Sequence, residues 1–176
     1  MSDKKKYKRE SVIFKAIKGG VGVELGVAEG IFSERIMDTE QLSFLYGIDM
    51  YAGDRGHDVE QYKTAFKRLD KHRNKYALLK MKFDEALDMF PDEHFDFIYV
   101  DGYAHTGEEN GKTLTDWYPK LKKGGIFAGD DYHADWPKVV TVVDEFIASN
   151  SLKLNIIDCH EPIPYCEYPT WYVVKP

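Results

Sequence analysis

The chain is 176 residues long, 43% hydrophobic and 31% charged, with a formal net charge of −6. That length suits one domain with a core of its own, and the acidic balance disfavours a nucleic-acid partner. No apolar stretch approaches the roughly 20 residues of a membrane span and no secretory h-region opens the sequence, so a cytoplasmic protein without a membrane partner is expected.

Residues 1–10 carry the basic run Lys4-Lys5-Lys6-Tyr7-Lys8-Arg9, read as a solvated, flexible tail on a single 1–176 domain. Val21–Leu25 predicts a buried strand that breaks into the turn Gly26-Val-Ala28-Glu-Gly30, with a helix behind it. Glycines there let the backbone pass close to a ligand, and the helix N-terminus offers N–H groups to polar atoms. Glu24 at the strand's end would repel a pyrophosphate, which points instead to a nucleoside with a cationic or hydroxyl-rich part.

The second strand, Phe44–Ile48, ends at Asp49-Met50-Tyr51. Asp49 suits a ribose diol, because a carboxylate accepts hydroxyl protons; an ordinary turn cap is the other reading. The spacing from Gly30 to Asp49 is also found in NAD-binding proteins, but their Gly-x-Gly-x-x-Gly pattern is missing here. The loop Gly53–His57 lies where a flap over a ligand would run. Beyond it Val59, Tyr62, Phe66 and Leu69 repeat at helical spacing and predict a helix with that face inward.

Strand Ala77–Met81 ends at Lys82-Phe83-Asp84, and Phe95–Val100 ends at Asp101-Gly102-Tyr103-Ala104-His105. Thr106 and Glu109 have capping-box spacing and predict a helix from Thr106 to Trp117, stopping near Tyr118-Pro119. Lys123-Gly124-Gly125 then turns the chain into strand Ile126–Ala128, which ends at Gly129-Asp130-Asp131-Tyr132-His133. Pro137 with Val139, Val143, Phe146 and Ile147 in register predicts one more helix. Strands follow around Leu154–Ile157 and Trp171–Val174. Only about ten residues part them, too few for a parallel crossover, so the last strand is expected to be antiparallel. Cys159 and Cys166, with His160 beside the first, read as free thiols of a reducing compartment.

Alternating strands and helices of this kind predict an α/β protein, a Rossmann-like doubly wound seven-stranded sheet, mostly parallel, with an antiparallel last strand. Ligands of such sheets bind at the carboxyl ends of the strands, and here every one of the first five strand ends carries a carboxylate. Asp101, Asp130 and Asp131 would share one edge, where Mg²⁺ would relieve their repulsion; loop capping is the competing reading. His105 and His133 beside them are candidates for a general base. Tyr51, Tyr103, Tyr132 and Trp136 are candidates for a pocket rim.

From Val21 onward the sequence resembles the class I S-adenosylmethionine-dependent methyltransferases, in particular the small catechol-type and macrolide-sugar O-methyltransferases. Glu24-Leu-Gly26-Val-Ala28-Glu-Gly30 is similar to that family's first motif. Phe95-Asp-Phe-Ile-Tyr-Val-Asp101-Gly102 is similar to its fourth-strand motif, and Trp117 to Tyr132 to its fifth. The resemblance implies that Glu24 and the turn through Gly26, Ala28 and Gly30 hold the methionine end of S-adenosylmethionine. Asp49 would lie at the ribose, Phe83 and Asp84 at the adenine, and Met50 and Asp101 would be further cofactor-binding residues. It further implies Asp101, Asp130 and Asp131 as Mg²⁺ ligands and a small hydroxylated acceptor.

Ala28 departs from the common middle glycine. Ala104 stands where catechol-type relatives carry a lysine base, which leaves His105, His133, Asp101 or none of them in that role. Many relatives cover the substrate with a long N-terminal extension; here the pocket is expected to be either shallow or completed by a second copy of the chain. Two further readings stay open: a metal-site enzyme like the cephalosporin-hydroxylase-like proteins, and a binding module without turnover.

Overall fold

The computed structural model describes residues 9–14, 17–53, 56–102, 109–158 and 167–176. Helix α1 (Arg9–Ile13) precedes β1 (Gly20–Leu25), α2 (Ile31–Asp38), β2 (Leu42–Asp49), α3 (Val59–Leu69), β3 (Tyr76–Lys80) and α4 (Phe83–Ala86). Then come β4 (Phe95–Val100), α5 (Lys112–Trp117), β5 (Leu121–Gly129), α6 (Pro137–Ser149), β6 (Asn155–Ile157) and β7 (Thr170–Val174). The seven strands form one sheet in the order β3-β2-β1-β4-β5-β7-β6. Pairings among β1 to β5 are parallel, and β7 runs antiparallel to both β5 and β6. This is the doubly wound sheet with an antiparallel last strand that the chain's pattern predicts.

Alternation along the strands divides the core. Phe97, Tyr99, Ile126 and Ala128 pack on one face with Phe14, Phe32 and Ile36. Ile98, Val100 and Phe127 pack on the other with Trp117, Val143, Phe146 and Trp171. Strand order reverses where β1 lies between β2 and β4, so a crevice opens at the carboxyl ends of those strands.

Four expectations change. Arg9 and Glu10, assigned by sequence to the tail, belong to α1 and are 4% and 6% exposed, because Arg9 and Glu10 each find an opposite charge inside; residues 1–8 lie outside the described residues. Helix α5 begins at Lys112 rather than Thr106, since Asn110 and Gly111 both have positive φ and block helix ahead of it; Thr106 itself is outside the described residues. On α3 the buried residues are Ala65 and Leu69, while Val59 and Phe66 are 48% and 58% exposed. Strand β5 starts at Leu121, and its Gly124-Gly125 bend is retained inside it, paired with Lys175. Cys159, His160 and Cys166 lie outside the described residues.

Candidate cofactor site

The turn after β1 is built to cross the sheet's switch point. Gly26 N–H donates to Ile48 C=O at 2.9 Å and Asp101 N–H donates to Leu25 C=O at 2.8 Å, tying the turn to β2 on one side and β4 on the other. Gly26 has φ +100°, and a Cβ there would run into the Asp101 carbonyl oxygen, so only glycine fits. Gly30 follows at φ +75° as the α2 N-cap and supplies no side-chain cap to the helix.

Asp49, at the end of β2, reaches back under this turn. Its Oδ2 accepts the N–H groups of Val27 and Ala28, both at 3.0 Å, and its Oδ1 accepts the N–H of Tyr51 at 3.2 Å. The Tyr51 hydroxyl in turn donates to the Ala28 carbonyl at 2.8 Å. Ala28 stands at φ +48°, a conformation that costs an L-residue about 1–2 kcal/mol. Its N–H and C=O are thus both held from the end of β2, which explains how an alanine is kept in this conformation. Neither brace is visible in the sequence, although Asp49-Met50-Tyr51 supplies both.

Glu24 lies beneath this floor, not on it. It is 1% exposed, and the Ser33 hydroxyl from α2 donates to its carboxyl group. The Tyr76 hydroxyl is 3.0 Å from Ser33 Oγ, reaching it from β3 across Gly47 of β2, where a Cβ would collide with the phenol. Burial pushes Glu24 up from 4.5 to about 8, against the lowering effect of the Ser33 hydrogen bond. A group so enclosed supports the turn from behind.

On the β3 side, Phe83 opens α4, and its ring lies against the Gly102 backbone at the end of β4. A cleft of about 220 Å³ begins there, with Phe83, Asp84 and Leu87 on one wall and Lys112, Thr113 and Trp117 on the other. Met50 follows Asp49 directly and is half-buried.

The carboxylates of the β4–β5 edge are arranged otherwise than expected. Arg9 Nη1 lies 2.5 Å from Asp130 Oδ2 and 2.8 Å from the Tyr99 hydroxyl, and its guanidinium is stacked 3.7 Å from the Phe32 ring centroid. Asp130 Oδ1 accepts from the Thr170 hydroxyl at 3.2 Å. Burial works against the charge of Arg9, but Tyr99 and the carboxylates of Asp130 and Asp101 outweigh it and hold the guanidinium ionised. Asp131 stands at φ +60°, and its carbonyl accepts the His133 N–H at 2.7 Å.

Among the described residues no three His, Cys, Asp or Glu side chains form a group that would hold a metal ion. The trio Asp101, Asp130 and Asp131 therefore does not fit Mg²⁺ here, because a resident cation already occupies the Asp130 carboxylate. His133 Nδ1 accepts the Asp135 N–H at 3.2 Å, which places the proton of its neutral ring on Nε2. His133 acts as a base at Nε2 only once that bond is given up. Tyr132 donates to Asp144 at 2.7 Å. His105 and Tyr103 lie outside the described residues.

A family model described as "Methyltransferase domain" matches residues 23–132. Among solved structures the chain is similar to a Streptococcus mutans protein assigned as a methyltransferase, in complex with SAH (TM-score 0.70, 9% identity, 97% of this chain and 99% of that one). It is also similar to a Staphylococcus aureus protein assigned as a caffeoyl-CoA O-methyltransferase (TM-score 0.69, 15% identity, 94% and 80%). A third is an rRNA methylase from Streptococcus thermophilus (TM-score 0.67, 12% identity, 94% and 93%). At these identities the likeness establishes the fold. No curated protein sequence matches the chain. Among the described residues no helix is long and apolar enough to cross a membrane.

Proposed function

The chain belongs to the methyltransferase-domain family, and from that premise we propose that it transfers a methyl group from S-adenosylmethionine to a hydroxyl of a small molecule. The observation that carries this reading is the Gly26–Gly30 turn, locked across the β1–β4 switch point by Asp49 and Tyr51. The turn and the start of α2 take the methionine end, Asp49 takes a ribose hydroxyl, and Phe83 with Asp84 takes the adenine. The bound donor supplies a methyl group on a positively charged sulfur.

The acceptor then sits over the ends of β4 and β5, near Asp101 and His133. One of Asp101, His133 and His105 receives the proton of the attacking oxygen, His133 only after its bond to the Asp135 N–H is given up. Arg9 supplies positive charge to the carboxylate edge through Asp130.

The test is calorimetric titration with S-adenosylhomocysteine, with NAD as control, followed by incubation with methyl-labelled S-adenosylmethionine and hydroxylated acceptors. Binding of S-adenosylhomocysteine alone, then label on an acceptor oxygen, is the expected result. Binding of NAD in its place, or no binding by folded protein, overturns the reading.

A further inference from the structure

Asp49 cannot serve both hydroxyls of a ribose. An ionised carboxylate offers about four acceptor positions. Here Oδ2 is filled by the Val27 and Ala28 N–H groups and Oδ1 is half filled by that of Tyr51. One position remains, on Oδ1, so one hydroxyl of a diol can donate to Asp49 and the other must find a different partner.

His57 stands where that partner is needed. Its Nδ1 is buried and has no hydrogen-bond partner among the described residues, although 39% of the side chain as a whole is exposed. The same atom lies 3.7 Å from Asp49 Oδ2, beyond hydrogen-bond reach of a carboxylate oxygen already doubly occupied. The backbone beneath the ring is held: the His57 carbonyl accepts the Gly53 N–H at 2.8 Å. On its other side Asp58 caps α3 through the N–H groups of Glu60 and Gln61. A buried ring nitrogen held without a partner costs stability unless a ligand satisfies it.

We propose that His57 is the second ribose ligand: the cofactor's vicinal diol straddles the two residues, one hydroxyl donating to Asp49 Oδ1 and its neighbour hydrogen-bonding His57 Nδ1. The inference rests on the methyltransferase reading and deepens it, since the loop before α3 becomes part of the nucleoside site. It makes the pair a selector for an unmodified ribose, because each deoxy position leaves one of the two groups without its bond.

The experiment is calorimetry of the full chain with S-adenosylhomocysteine and with its 2′-deoxy and 3′-deoxy analogues, for the parent protein, His57→Ala and His57→Asn. The parent should bind each deoxy analogue about five- to tenfold more weakly than the ribonucleoside, the loss of one hydrogen bond. His57→Ala should lose a similar factor for S-adenosylhomocysteine but nothing further for one of the two analogues. His57→Asn, whose amide falls near the Nδ1 position, should recover most of the loss. Equal losses by His57→Ala for all three ligands would mean that the ring only supports its loop, and unchanged affinity would remove it from the site; either overturns the proposal. Absence of binding by the folded parent protein overturns instead the methyltransferase reading on which it stands.

Discussion

Glu24 is a carboxylic acid kept neutral by its surroundings, and that has a measurable consequence. Its carboxyl holds a proton up to about pH 8 in the folded chain, but only up to the ordinary value of 4.5 when unfolded. Between those values the folded state binds more protons, so the contribution of Glu24 to stability is complete below pH 4.5 and is lost as pH climbs toward 8. Urea denaturation across that window should show stability falling with pH, and Glu24→Gln, which retains an acceptor for Ser33, should flatten the slope. The brace on Ala28 gives a second expectation. Tyr51→Phe removes the donor to the Ala28 carbonyl and should cost about 1 kcal/mol, weakening S-adenosylhomocysteine binding with it. Ala28→Gly relieves the positive φ but adds freedom to the unfolded chain, so it should shift stability by less than about 1 kcal/mol. Little of this was legible beforehand. The types and order of the residues marked the turn and Asp49, yet the partners of Glu24 are Ser33 on α2 and Tyr76 on β3, contacts that only the folded sheet creates.

Helix α1 shows how one element decides the chemistry of a distant edge. Its first residue, Arg9, forms a buried pair with Asp130 just past β5, and Thr170 at the start of β7 completes the carboxylate's bonding. Removing one partner of such a pair leaves a buried charge uncompensated, so Arg9→Met should destabilise the protein by roughly 3–5 kcal/mol, with Arg9→Met/Asp130→Leu recovering part of it. Because the guanidinium occupies the carboxylate, neither millimolar Mg²⁺ nor EDTA should move the melting temperature or the affinity for S-adenosylhomocysteine. A resident metal would do both. A run of basic residues at a chain's start resembles any solvated tail, and nothing in its composition tells Arg9 from the lysines before it. The inward face of α3 is set by packing as well as by period. Periodicity puts Val59, Tyr62, Phe66 and Leu69 on one inward face. Leu69 is buried there and Tyr62 packs against the core, but Val59 and Phe66 are exposed. Ala65 joins Leu69 against Gly30, whose missing side chain brings the helix near.

At the scale of the molecule, binding and folding are linked through the sheet. A ligand held by the ends of β1, β2 and β4 binds only when those strands are assembled, so it stabilises the whole fold by mass action. S-adenosylhomocysteine at about 100 times its dissociation constant should add roughly 2.7 kcal/mol and raise the melting temperature by about 5–10 °C, with no shift from NAD. The architecture was the most legible part of the sequence, since the apolar runs Phe95–Val100 and Val21–Leu25 and the helix-period segments between strands are patterns of local origin. The pairing that builds the crevice is not local: β1 takes β2 on one side and β4 on the other. Arg9 is separated from Asp130 by 121 positions. A ribosome working at about 5–20 residues per second would emit the arginine roughly 6 to 24 seconds before its partner. Throughout that interval Arg9 lacks its carboxylate, although α1 can already dock on α2 through Glu10 and Arg35 and through the Phe32 ring. The Arg9–Asp130 pair is therefore among the last contacts of α1 to form.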